Sequence, residues 1–193
     1  MAQLPVTWEV MEEAESRWKR NGNKITRKAT SNFDAAFADT VLTDGQYELE
    51  FTIVEDKLGC VCQYLGVCDA DHVYKREMRS SNPNDEEEEV AWAFSGGPGI
   101  LWKFRSPHVE YGSGAMKTAM PKGQNLADPK KAKGSTVKLV VDMKQRSLTF
   151  QVNKEPVIDA GIELPAAVRP FVLLAQDETI KLTVKRVDLT PSA

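Results

Sequence analysis

Between Gly134 and Leu174 the apolar residues recur with a period of two. Val137/Leu139/Val141 and Leu148/Phe150/Val152 alternate with their neighbours on either side of the insert Met143–Ser147. Side chains of an extended chain reach one face at every second residue, so two such runs around a short insert read as an antiparallel β-hairpin with one face buried. Asn153-Lys154-Glu155-Pro156 ends the second run, Pro165 and Pro170 punctuate the next segment, and Val168–Ala175 supplies another apolar run. Three strands joined by turns are expected here.

The same period governs most of the chain. After Asp44-Gly45, Tyr47/Leu49/Phe51/Ile53 are expected to face inward and Glu48/Glu50/Thr52 outward, which makes that outer face acidic. Asn21-Gly22, between Trp18 and Ile25, is a hairpin signal because Asn-Gly tolerates the positive φ of a tight turn. Phe33–Leu42, with Phe37, Val41 and Leu42, is consistent with a strand, and Cys60–Val67 reads as the next one. Two more flank Ser95–Gly99, and Ile180/Leu182/Val184 forms the last. The expected core includes Tyr47, Leu49, Phe51, Leu65, Val67, Trp92, Phe94, Leu139, Val141 and Phe150. One helix is expected, from Thr7 to Ser16, capped by Thr7 and with Val10, Met11, Ala14 and Trp18 at helical spacing. Two long stretches have no period: the polar Tyr74–Glu89, ending in the carboxylates Asp85–Glu89, and Ser106–Lys133.

In order, these blocks resemble one family. "VVD" followed by "SLTFQVN" and "LPAAVRPFVLL" (Leu164–Leu174) is similar to the C-terminal half of the SPRY domain, a bent β-sandwich used mainly to bind proteins. "DGQYELEFTI" (Asp44–Ile53), "YLGVCDAD" (Tyr64–Asp71) and "AWAFSGGPGILW" (Ala91–Trp102) resemble its early strand, its Gly-Val strand and its Trp-Gly segment, the last departing in the turn Gly96-Gly97-Pro98-Gly99. The resemblance implies an all-β, antiparallel two-sheet β-sandwich of the SPRY or concanavalin-like kind. Residues 1–16 would form a helical extension packed on it, 17–189 the sandwich, and 190–193 a tail.

Composition fits one such domain. The 193 residues are 41% hydrophobic and 27% charged, with net charge −3. Nucleic acid binding needs a concentrated basic face, and none is expected. Lys130, Lys131 and Lys133 read as a solvated loop, with nuclear import as the alternative. The acidic N-terminus is unlike a secretory or transit peptide, and no stretch approaches the ~18 apolar residues of a membrane span. Three cysteines cannot all pair, which points to a reducing compartment and a cytoplasmic, or else nuclear, address.

Cys60, Cys62, Cys68 and His72 are four potential metal ligands within thirteen residues. Cys60 and Cys62 on one strand face lie about 7 Å apart, unlike the knuckles that bind structural zinc, so buried core cysteines are expected and no metal or other cofactor. Catalysis has little support. His72 and His108 are the only histidines, and no nucleophile elbow or His-Glu-x-x-His motif is present.

The resemblance therefore implies a non-enzymatic interaction module, an adaptor or subunit of a larger assembly, gripping a protein or peptide by loops at one end. Carried over by motif, the partner-binding residues would be Asp69, Asp71, Glu89, Val90, Ala91, Trp102, Arg105 and Tyr111. The acidic Asp85–Glu89 would favour a basic partner. A lectin-like sandwich that binds carbohydrate is the alternative, because layer architecture alone does not decide function.

Overall fold

The hairpin forms as its alternation dictates: Val137 pairs with Val152, Leu139 with Phe150 and Val141 with Leu148, all buried. At its turn the Asp142 carboxylate accepts the backbone N–H groups of Lys144 and Gln145. The computed structural model describes residues 2–28, 34–56, 64–71, 89–95, 100–105, 114–119, 132–175 and 177–187.

The strands, in chain order, are β1 (Ala2–Leu4), β2 (Trp8–Val10), β3 (Trp18–Asn21), β4 (Lys24–Arg27), β5 (Asp34–Ala38), β6 (Gln46–Asp56), β7 (Tyr64–Asp69), β8 (Glu89–Ser95), β9 (Ile100–Arg105), β10 (Gly114–Ala119), β11 (Thr136–Asp142), β12 (Ser147–Val152), β13 (Ile158–Asp159), β14 (Val168–Leu174) and β15 (Glu178–Val187). They build two antiparallel sheets. The first runs β13-β12-β11-β6-β15-β4-β3, with β1 also on β15; the second runs β10-β9-β8-β7-β14-β5-β2. The three strands expected between Gly134 and Leu174 thus divide between the sheets, β11 and β12 in one and β14 in the other.

One core lies between the sheets and holds all ten residues expected there. A second cluster, of Ala35, Phe37, Cys68, Ala91, Ala93, Phe171 and Leu173, occupies the other face of the second sheet. Buried on both faces, β5 reads as a continuous apolar run rather than an alternation. Cys68 is buried here, with its Sγ 3.5 Å from the carbonyl oxygen of Arg169, while Cys60, Cys62 and His72 lie outside the described residues.

Three expectations are corrected. The N-terminal helix is replaced by strand β2 and a short 3-10 helix, Glu12–Arg17. Thr7 caps no helix, because its N–H and hydroxyl both bind the Asp39 carboxylate and Trp8 pairs with Ala38. Val6, Trp8 and Val10 are the more buried positions and Thr7 and Glu9 are exposed, so a period of two overrides the helical spacing. Strand β10 lies within the stretch that shows no period, formed by pairing to β9 rather than by its own pattern. The outer face of the first sheet is mixed in charge rather than acidic, because lysines of the neighbouring strands stand beside the glutamates of β6. Glu48 stands opposite Lys185 of β15 and binds Lys138 of β11 at 2.9 Å, and Lys138 also stands opposite Glu50.

The Asn21-Gly22 hairpin forms with a shift of one residue. Asn21 pairs with Lys24, so Gly22-Asn23 is the two-residue loop, and the positive φ of 56° falls on Gly22 alone, the pattern of a II′ turn.

Candidate functional site

Strand direction brings most of the motif-derived residues to one end of the second sheet. Asp69 ends β7, Glu89 starts β8 and Arg105 ends β9, with Glu89 opposite Arg105 and Cys68 opposite Ala91. The β8–β9 register shifts between Glu89 and Ala91, which makes Val90 the extra residue of a bulge. Ala91 is fully buried in the second cluster, so it brings only backbone to this end. Trp102 pairs with Ala93 and Ala115 three residues before Arg105, about 10 Å along the strand, and is not gathered to the end. Tyr111 and 85–88 lie outside the described residues.

Asp69 and Asp71 form the next part of the rim. The Asp71 N–H donates to the Asp69 carboxylate at 2.9 Å, and the Ala70 N–H to the Ala167 carbonyl at 3.1 Å, which ties this turn to the start of β14. Asp71 is exposed and Asp69 half-buried.

Asp39–Val41 completes the rim, and Pro170 explains its position. Leu42 and Val168 exchange both backbone hydrogen bonds, and further along Val172 pairs with Ala36. Alternation turns the nitrogen of Pro170 toward the same side as that of Val168, where a ladder would need an N–H that proline lacks. The facing chain takes six steps, from Ala36 to Leu42, against four on β14, from Val168 to Val172, so Asp39–Val41 loops outward. Val41 is left 49% exposed, one of two large apolar side chains so exposed among the described residues.

Among the described residues no cation pairs with Asp39, which is anchored by neutral donors. It accepts Thr7 N–H at 2.9 Å, the Thr7 hydroxyl at 2.7 Å and the Thr40 hydroxyl at 3.4 Å. Partial burial pushes its pKa up, but these donors outweigh that and hold it below the ordinary 3.8, so it is charged at neutral pH. Its principal partner is thirty-two residues away in sequence, and no local pattern signals it.

The end thus combines three carboxylates, from Asp39, Asp69 and Asp71, with an exposed valine and the small residues Ala166 and Ala167. Among the described residues no cluster of His, Cys, Asp and Glu is arranged to hold a metal ion.

Solved structures share the fold. The SPRY domain of human HERC1 superposes with a TM-score of 0.60 at 19% identity, over 91% of this chain and 98% of that one. The fold is SPRY-like. The PSpry domain of TRIM65 matches at a TM-score of 0.57 and 12% identity, over 93% of this chain and 89% of that one. A more distant match is the exoplasmic/lumenal domain of VIP36 in its Ca2+/Man-bound form, with a TM-score of 0.52 and 9% identity over 96% and 85% of the two chains. No family model and no curated protein matches the sequence.

Proposed function

We propose that the chain is a non-catalytic protein-interaction module whose partner is gripped at the end of the second sheet formed by Asp39–Val41, Asp69–Asp71, Glu89–Val90 and Arg105. The observation that carries this reading is the gathering of these residues, from separate parts of the chain, at one end of a SPRY-like sandwich. SPRY domains generally bind protein partners, which supports the reading. Strand interiors are committed to the core, so recognition falls to the loops that the strands present. The carboxylates of Asp39, Asp69 and Asp71, at the same end of the sheet as the exposed Val41, suit a peptide that pairs a basic residue with a small apolar one. Trp102 and Tyr111 remain proposed contacts, as does Asp85–Glu89 as an electrostatic guide for a basic partner. An adaptor role at a cytoplasmic or nuclear address completes the proposal.

A photo-crosslinking amino acid at position 71, with the same group at position 144 in the β11–β12 turn as control, tests this. Position 71 is expected to capture a distinct peptide or protein whose capture falls when salt is raised. Equal capture from both positions would defeat the proposal. The VIP36 likeness motivates one comparison, a glycan array with and without calcium; calcium-dependent glycan binding would replace the peptide reading by the lectin one.

A further inference from the structure

The outward face of the first sheet carries lysines that the fold does not use. Lys181 of β15 stands directly opposite Lys24 of β4. Lys19 of β3 is opposite Thr26, one diagonal from Lys24, and Lys185 lies further along the same face of β15. Lys19 and Lys24 are exposed and Lys181 and Lys185 half-buried, and none of the four makes an ion pair or hydrogen bond to a described residue. Like charges directly opposite on neighbouring strands oppose pairing. Lysines on an outermost strand guard an open edge, which accounts for Lys19 but not for Lys24, Lys181 or Lys185, whose strands have neighbours on both sides. Glu48, opposite Lys185, is already engaged by Lys138 from β11.

We infer that this face, across β3, β4 and β15, docks an extended acidic peptide. Lys181 and Lys185 are four residues apart on one strand, about 13 Å at 3.3 Å per residue. An extended peptide laid along β15 repeats that spacing, so acidic side chains four residues apart meet Lys181 and Lys185 while Lys24 and Lys19 flank them. Glu50 and Glu55 interrupt the lysines and would repel a continuous phosphate backbone, whereas a peptide places its charges at intervals. Single-stranded nucleic acid binds on stacking aromatic platforms, and the aromatic residues of β3, β6 and β15, Trp18, Tyr47 and Phe51, are all buried in the core. The surface lies on the other sheet from the loop end and requires a partner of opposite charge, so it stands apart from the function proposed above.

The test is fluorescence anisotropy of a labelled Thr-rich peptide with Glu at every fourth residue, at low ionic strength. Saturable binding is expected, weakening as salt rises through about 0.15 M, where the screening length falls to about 8 Å. The double variant Lys24→Glu/Lys181→Glu should weaken binding at least about tenfold, and Lys144→Glu, in the β11–β12 turn, should leave it unchanged. Lys24→Glu alone replaces a repulsive cross-strand pair by an attractive one, so its urea midpoint should hold or rise while its peptide affinity falls. Absence of saturable binding, an equal loss with Lys144→Glu, or equal or tighter binding of a single-stranded oligonucleotide of the same charge would overturn the inference.

Discussion

Asp34 of β5 receives the guanidinium of Arg27 of β4 in an ion pair that crosses from one sheet to the other, with side chains 1% and 0% exposed. Arg17 reaches the same carboxylate at 3.1 Å, and Arg27 lies 5.6 Å from the ring centre of Trp18. Across the first sheet Trp18, Arg27, Glu178 and Asp56 stand in one row, so a charged layer closes the end of the core opposite the candidate site. Desolvation offsets much of the attraction in such a pair, but removing one partner strands the other charge. Asp34→Ala is expected to cost about 3–5 kcal/mol in urea unfolding. The double variant Arg27→Met/Asp34→Leu should cost less; a larger loss from the double variant would show the pair itself to be a net source of stability.

Gly66 of β7 is required by the close approach of β8. A Cβ at Gly66 would stand 2.1 Å from the Trp92 carbonyl oxygen and 2.6 Å from Ala93 Cα, both backbone atoms that cannot rotate away. Gly66→Ala should exceed the roughly 1–3 kcal/mol typical of overpacking, or separate β7 from β8. Thermal unfolding with amide exchange across 64–71 and 89–95 measures both effects.

Phe150, fully buried opposite Leu139, is the corresponding test of the first sheet. Phe150→Ala is expected to lose about 3–5 kcal/mol, and a loss under about 1 kcal/mol would contradict its burial.

Local patterning made most of the first sheet legible, because one face of β6, β11, β12 and β15 is wet and the alternation shows. The second sheet was harder to read, since β5 and β14 are buried on both faces and β10 is held by its neighbour. The buried Arg27 and Asp34 carried no signal, as a charged residue in a short strand reads as solvated until its partner from the other sheet is known. At the candidate end, Asp69, Asp71 and Glu89 were found through motif order. Asp39 and Val41 were missed because their position depends on Pro170 and Thr7, both remote in sequence.

Asp39 makes stability sensitive to acid in a defined direction. Its folded pKa lies below the unfolded 3.8, so its contribution is complete above that value and is lost as pH falls through the folded one. Asp39→Asn should therefore flatten the decline of the urea midpoint below about pH 4. Thr7→Val, which removes the 2.7 Å hydroxyl donor, should bring the folded pKa closer to 3.8 and so make the decline shallower. An unchanged acid profile in both variants would show that the Thr7–Asp39 bond contributes nothing to folding.

The partner site is tested by separating charge from contact. Asp69 and Asp71 are unpaired with any cation among the described residues, and Asp71 is exposed, so neutralising both removes attraction without stranding a buried charge. Exposed charges act mainly on the rate of encounter, so Asp69→Asn/Asp71→Asn should slow association with the captured partner and weaken its salt dependence. Val41 makes a different prediction. At 49% exposure, and beside rather than in the Leu42–Val168 bridge, it can be changed with little effect on folding. Val41→Asp should then speed dissociation, because apolar contact sets the lifetime of a complex more than its formation. Surface plasmon resonance on both variants resolves the two rates. If neither rate changes while the folds remain intact, the partner does not rest on this end.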